Sequence, residues 1–316
     1  MSRIRALVLS YAPHESILSI IWYHWVASTL TGMTMTIERA LPFDFLIVGS
    51  QRSGTTLMRL ILECHSAVQC HDEEAAHMLL AGQTPLANAR RLVGLKVPQL
   101  TEQLSSTTFR QDSFYQLGGD HTCELPNCYS GQKLIFMIRD ARDTVASMLA
   151  LPRWLEMYSW PVLRYKMLHE KYFSDTYAHE ISLLRKSPFP RVAAAALIWR
   201  YKVDALFDYL DKGYPILPVW YETLVSSPTV EMIRVCAFLQ IPWEEAVLHH
   251  SRMSHSELAP DGRAIGNTDP SRSIDSTSVG QWKSYLEDGH LAEIVKITGS
   301  LQGKLYPQAG DTVARG

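Results

Sequence analysis

Arg52, Ser53, Gly54, Thr55 and Thr56 stand in a row between an apolar run ending at Gly49 and an apolar stretch of helical period. These residue types in this order suit an anion. Glycine permits a tight turn, the hydroxyls donate to phosphate or sulfate oxygens, and the planar guanidinium matches a tetrahedral oxyanion. Gly49 and Gly54 are spaced as in a Walker A loop, but Thr55 occupies the place of the lysine that serves the β- and γ-phosphates of a nucleoside triphosphate. Arg52 is the cation available instead. Taken alone, the same segment also fits a strand-turn-helix connection whose small residues only allow close packing. Two more cations end apolar runs, Lys96 in LVGLKVP (92–98) and Arg139 in KLIFMIRD (133–140), and three acids stand together at Asp72, Glu73 and Glu74. Lys96 and Arg139 could pair with Asp72, Glu73 or Asp140 and do nothing more. Their convergence with the loop points instead to a polyanionic ligand.

Convergence requires a scaffold that brings these segments to one edge. FDFLIVG (43–49) reads as a buried parallel strand and LMRLILECH (57–65) as a helix, so the glycine and hydroxyl residues fall on the turn between them, where helix N–H groups face an anion. LVGLKVP and ILPVWYE (216–222) read as further strands, and KLIFMIRD is the clearest strand. A helix is expected over 144–149, capped by Asp143, with longer helices over 192–210 and 229–239. Strands alternating with helices predict an α/β, P-loop-like three-layer fold: a central, mostly parallel sheet covered by helices on both faces. Ligands of such sheets bind outside the carboxyl ends of the strands, where Arg52 to Thr56, Lys96, Arg139 and Tyr221 fall.

Composition narrows the function. The 316 residues, 47% of them hydrophobic, predict one domain over 41–308, with an N-terminal extension over 1–40 and a tail over 309–316. A formal charge of -2 argues against a nucleic-acid partner. Five cysteines without a CxxC pair suggest neither a zinc site nor a disulfide framework, and the expected setting is the reducing cytoplasm. No metal is expected; His249 and His250 are adjacent and would point apart on a helix. In the extension, Arg3 and Arg5 precede an apolar patch over 17–30 that looks like a signal or short anchor, although it is shorter than the roughly 20 residues of a membrane span. Met33 and Met35 offer alternative starts.

QRSGTTL and IRDARDTVASML (138–149) resemble, in order, the 5'-phosphosulfate loop and the 3'-phosphate motif of the sulfotransferases that use 3'-phosphoadenosine-5'-phosphosulfate, PAPS. Within that family the chain is most similar to the tyrosylprotein sulfotransferases. The loop is followed by Cys70, the paired acids and Lys96-x-Pro98, and WYETL (220–224), FLQIPW (238–243) and VLHH (247–250) also resemble their counterparts. The resemblance spans residues 43–286. It implies PAPS as co-substrate, with Arg52, Ser53, Gly54, Thr55 and Thr56 on the 5'-phosphosulfate, Arg139 and Ser147 on the 3'-phosphate, and Tyr221 lining the nucleotide pocket. It implies Glu73 as the catalytic base, Lys96 facing the transferred group, and Arg52 stabilising the transition state. IGNTDPSRSIDSTSVGQWKSY (265–285) resembles the loop that closes over the nucleotide, making Asn267, Thr268, Arg272 and Lys283 candidate contacts; it also fits a plain surface loop.

The acceptor implied is a phenolic hydroxyl, with tyrosine in a protein or peptide favoured and a homodimer left open. The pattern departs from the family in several places. Ala75, Ala76 and His77 stand where the animal enzymes carry arginines for acidic peptides, so a small phenol, a hydroxylated lipid or a carbohydrate is the alternative acceptor. The stretch from Glu73 to Lys96 is shorter and that from Pro98 to Lys133 longer. Gly94 stands in place of the disulfide partner of Cys70, and Leu151, with Arg153 nearby, in place of a further nucleotide-binding arginine. A catalytically inactive nucleotide-binding regulator is the non-enzyme alternative.

Overall fold

β1 (Phe45–Gly49) is apolar and buried along its whole length because it lies at the centre of a sheet covered on both faces. The computed structural model describes residues 43–73, 75–76, 91–104, 109–110, 122–123, 132–151, 159–258, 262 and 268–306. The expectations for the N-terminal extension, Glu74, His77, Cys128, Arg153, Asn267 and the tail lie outside the described residues. After β1 come α1 (Thr55–Glu63), β2 (Val68–His71), β3 (Leu92–Lys96), a 3-10 helix (Pro98–Gln103), the short pair β4 (Phe109–Arg110) and β5 (Thr122–Cys123), β6 (Lys133–Ile138) and α2 (Ala141–Leu149). A helical layer follows as α3 (Trp160–His169), α4 (Lys171–Thr176), α5 (Ala178–Lys186) and α6 (Pro190–Asp211). The chain then forms β7 (Ile216–Trp220), α7 (Tyr221–Ser226), α8 (Pro228–Leu239), a second 3-10 helix (Glu245–Arg252), α9 (Trp282–Tyr285) and α10 (Asp288–Leu305).

The main sheet has the order β2-β3-β1-β6-β7, and every pairing in it is parallel. Alternate strand residues feed two cores. Leu46, Val48, Leu134, Phe136 and Ile138 pack toward α2, α6 and α10, whereas Phe45, Ile47, Ile135, Met137 and Val219 pack toward α1 and α8. This is the expected three-layer α/β architecture. Ala193 to Ala196 keep α6 slim, and the indole N–H of Trp199 donates to the Arg139 carbonyl at 2.9 Å, anchoring the chain where β6 ends.

Two local features depart from the expected pattern. α2 begins at Ala141 with Asp140 as its cap, accepting from the Arg142 N–H; Asp143 lies in the first turn and uses its carboxylate elsewhere. β2 had no sequence signal, because it is a four-residue edge strand, VQCH, half of whose side chains are polar. Its register sets Cys70 opposite Gly94, and Gly94 opposite Phe45. A Cβ at Gly94 would lie inside the Phe45 ring, so an aromatic ring covers the row where a second sulfur would stand. Burial pushes the Cys70 thiol far above its ordinary range.

Beneath the sheet's carboxyl edge lies a buried ionic cluster. Lys202 of α6 donates to the Gln99 carbonyl at 2.6 Å and to Glu102, and Lys166 of α3 reaches Glu102 at 3.1 Å. Burial alone would raise the Glu102 carboxyl, but Lys202 and Lys166 bring it down to about 2. Its stabilising effect is therefore complete above the ordinary carboxylate range and fades as pH falls toward about 2. Glu102→Gln should cost roughly 3 kcal/mol in urea unfolding at neutral pH, because it leaves Lys202 and Lys166 short of a buried partner. That gap between variant and parent should shrink as pH is lowered through the carboxylate range.

Candidate functional site

Gly49 has φ 130, and a Cβ there would lie on the Met137 carbonyl oxygen of the neighbouring strand. Only glycine lets the chain leave β1 at this point. The turn is closed by Ser53, whose hydroxyl and N–H both donate to the Ser50 carbonyl, at 2.5 and 3.2 Å. Gly54, φ 96, precedes α1 and brings no side-chain cap, so the N–H groups of the first turn, at Thr55 and Thr56, are presented to a ligand. A Cβ at Gly54 would come within 2.6 Å of the Tyr221 ring, which closes one side of the loop.

Arg52 has φ 70, a left-handed conformation costing a non-glycine residue about 1 kcal/mol or more. Its surroundings hold it there. Arg139 donates from Nη1 to the Arg52 carbonyl at 3.1 Å, and Arg52 Nε donates to the Ser147 hydroxyl of α2 at 3.0 Å. The two anion motifs recognised in the sequence are thus tied together. Burial, reinforced by the nearby Arg139 charge, lowers the Arg52 guanidinium to about 10, the electrostatic condition of a cation prepared for an anion. Arg139 lies 4.5 Å over the Tyr221 ring and donates from Nη2 to the Ser278 carbonyl at 2.5 Å. Its buried Nε has no acceptor among the described residues. Arg139 therefore does not pair with Asp140, whose carboxylate is taken by Arg142 at 2.6 Å.

These groups line a cleft of about 520 Å³. Arg52, Gly54, Thr55, Thr56, Arg139, Ser147 and Tyr221 form one wall, and Thr268, Arg272, Ser278 and Tyr285 belong to the opposite one. The second wall is fastened to the first by Asp143, a nearly fully buried carboxylate that accepts from the N–H groups of Gly280 at 2.7 Å and Trp282 at 3.0 Å. Arg142 stacks 4.6 Å over Trp282 beside it. Thr268 and Arg272 both line the cleft. Lys283 is not brought to the cleft: it is exposed and lies 5.8 Å from the centre of the Trp282 ring.

Next to the loop, Lys96 is completely buried. Its ammonium reaches the Thr56 hydroxyl at 3.1 Å, Asp72 at 2.5 Å and Glu73 at 2.9 Å. Burial raises the Glu73 carboxyl above its ordinary value, with Lys96 pulling the other way and Asp72 adding to the rise. A carboxyl whose pKa is raised by burial, bonded to a cation that itself touches the anion loop, can exchange a proton beside an anionic group. The sequence marks Asp143 only as a helix cap and does not single out Tyr285 or Arg59. Arg59 did leave a signal, as the one charge inside the apolar face of LMRLIL. Among the described residues no three His, Cys, Asp or Glu side chains are grouped to hold a metal ion, and no helix is long and apolar enough to cross a membrane.

The model of the sulfotransferase domain family matches residues 42–306. The protein-tyrosine sulfotransferase of Drosophila melanogaster is 24% identical over 84% of this chain and 51% of its own length. Protein-tyrosine sulfotransferase 1 of Danio rerio is 25% identical over 72% of this chain and 62% of its own. The chain thus spans between half and two thirds of these two relatives. In structure it is similar to the sulfotransferase domain from the curacin biosynthetic pathway, with a TM-score of 0.53 at 17% identity, covering 83% of this chain and 98% of that one. The sulfotransferase domain of a Synechococcus olefin synthase gives 0.52 at 18% identity, covering 88% and 100%. Both likenesses support the P-loop-like α/β fold.

Asp143→Ala removes both fastenings of the loop and leaves two N–H groups unpaired. Hydrogen exchange over residues 278–282 should accelerate about tenfold, measured by mass spectrometry, because two hydrogen bonds to a charged acceptor are lost.

Proposed function

The chain belongs to the sulfotransferase domain family, and from that premise we propose that it transfers a sulfuryl group from PAPS to a phenolic hydroxyl, with tyrosine in a protein or peptide as the acceptor. The observation carrying this proposal is the link from the anion loop through Thr56 to Lys96 and on to Glu73, at 3.1 and 2.9 Å. The residues fit the donor: three arginines, Arg52, Arg139 and Arg272, face one cleft, and Arg139 keeps a buried N–H without an acceptor among the described residues. In this proposal Arg52 to Thr56 hold the 5'-phosphosulfate, Arg139 and Ser147 the 3'-phosphate, and Tyr221 the nucleotide's flank, with Thr268 and Arg272 closing from the loop. Asn267 and Lys283 are carried as loop contacts by resemblance alone. Bound PAPS supplies the sulfuryl group, and no metal is called for.

Glu73 accepts the phenol proton as the oxygen attacks in line with the leaving phosphate. A phenol titrates near 10, so an unassisted acceptor is protonated at neutral pH and a nearby carboxylate lowers the barrier. Lys96 and Arg52 face the oxygens on which negative charge grows, and they act in a site where water does not screen them. Their charges favour the transition state over the ground state.

The protein-tyrosine sulfotransferase relatives support the tyrosine acceptor. One observation favours a small neutral phenol instead. Ala75 and Ala76, the latter fully buried, follow the acids and offer no cation to an acidic peptide. A reducing cytoplasmic setting accords with Cys70 facing Gly94 rather than a second cysteine.

With labelled PAPS and a tyrosine peptide, Glu73→Gln should lower kcat by about two to four orders of magnitude while leaving nucleotide affinity intact. Because burial raises Glu73, the base is lost as pH falls through a value above the ordinary glutamate range, so the acid limb of kcat/KM should lie there and be absent from Glu73→Gln. Transfer to small phenols but not to peptides, without the salt-sensitive preference for acidic flanks of a peptide enzyme, would settle the acceptor against tyrosine in proteins.

A further inference from the structure

A string of alternating charges runs behind the site. Glu63 meets Arg59 at 3.2 Å, Arg59 meets Asp72 at 3.3 Å, Asp72 meets Lys96 at 2.5 Å, and Lys96 meets Glu73 at 2.9 Å. Arg59 and Lys96 are fully buried and Asp72 is 1% exposed. Lys96 has three protons and three oxygen partners, Thr56, Asp72 and Glu73, so it cannot address a transferring group without releasing one of them.

The surroundings identify which partner is released. Asp72 is clamped: its N–H donates to Glu257 at 2.5 Å, its carbonyl accepts from Ala76 at 2.8 Å, and its Oδ1 accepts from the Glu73 N–H at 2.8 Å. Its Oδ2 has no aligned hydrogen bond among the described residues and faces Arg59 Nε, so it is compensated by charge alone. The Glu73 carboxylate is 16% exposed and is the side chain with room to turn.

We propose that Asp72, backed by Arg59, is a positioning residue that holds Lys96 on the transferring group when Glu73 leaves it for the acceptor hydroxyl. The proposal rests on the sulfuryl-transfer function above. Asp72 forms no bond to substrate; its carboxylate fixes the direction of the Lys96 ammonium and keeps that charge balanced inside the protein. It also faces Glu73, together with Lys96, Lys202 and Arg52, and among these four it is the one negative group, favouring the protonated form of Glu73.

The test compares Asp72→Asn, Asp72→Glu and Arg59→Lys with the parent. Asp72→Asn should lower kcat about ten- to a hundredfold, leave the affinity for adenosine 3',5'-bisphosphate unchanged, and move the acid limb of kcat/KM to lower pH, because the negative neighbour of Glu73 is gone. Asp72→Glu should restore much of kcat and return the limb, and Arg59→Lys should fall between. A parent-like kcat and pH profile in Asp72→Asn overturns the proposal. So does equal inactivity of Asp72→Asn and Asp72→Glu with nucleotide binding lost, the signature of a merely structural residue. Absence of sulfuryl transfer in the parent, or full activity in Glu73→Gln, instead removes the function on which the proposal rests. The unliganded crystal structure of Glu73→Gln then decides the placement: Lys96 remaining on Asp72 supports it, and Lys96 swinging away overturns it.

Discussion

A full positive charge enclosed in protein is the constraint around which this molecule is organised. Lys96 has no exposed surface, and an unpaired ammonium there would cost several kcal/mol. Two adjacent carboxylates and a threonine hydroxyl, from two separate segments, must therefore meet it, and each meeting fixes an element. Thr56 fixes the start of α1 against β3, and Asp72 and Glu73 fix the end of β2 against the same strand. Such a charge is poor value for stability alone, since apolar packing of similar volume does as well or better. Its presence makes sense at the carboxyl edge of a parallel sheet, where a mobile anion can replace one of the carboxylates.

The same constraint governs the cleft lined by Arg52 and Arg139. Arg52 and Arg139 repel one another, yet each is held by neutral groups, the Ser147 hydroxyl and the carbonyls of Arg52 and Ser278. Dipoles orient the two guanidiniums, and Glu73 lies near enough to Arg52 to act on its charge. The carboxylates nearby have other tasks: Asp140 caps α2 and takes Arg142, Asp143 binds backbone N–H groups, and Asp275 takes Arg272.

Much of this was legible in sequence because central strands are continuous apolar runs with a charge at the end. FLIVG, LVGLK and KLIFMI each lead straight into Gly49 and the loop, Lys96 or Arg139, so one pattern located both fold and cations. Periodicity carries no such message at the edge. β2 is short, half polar and covered on few sides, and its position had to come from pairing with β3. The task of Asp143 was hidden for another reason: its partners are backbone N–H groups far along the chain, and backbone groups leave no trace in residue identity. A carboxylate just ahead of an apolar helical stretch satisfies the rule for a cap, which is why the sequence points to Asp143; in the structure the cap is Asp140 and Asp143 lies in the first turn. Lys283 follows its neighbour Trp282 in the resemblance, yet its side chain is exposed where that of Trp282 is half-buried.

The fastening of the loop by one carboxylate has a kinetic side. In the proposed function a nucleotide would sit between the two walls and leave when they part, and parting means breaking two hydrogen bonds to Asp143 and one from Arg139 to Ser278. On that reading, release and bond-making depend on different residues, so their rates can be adjusted separately.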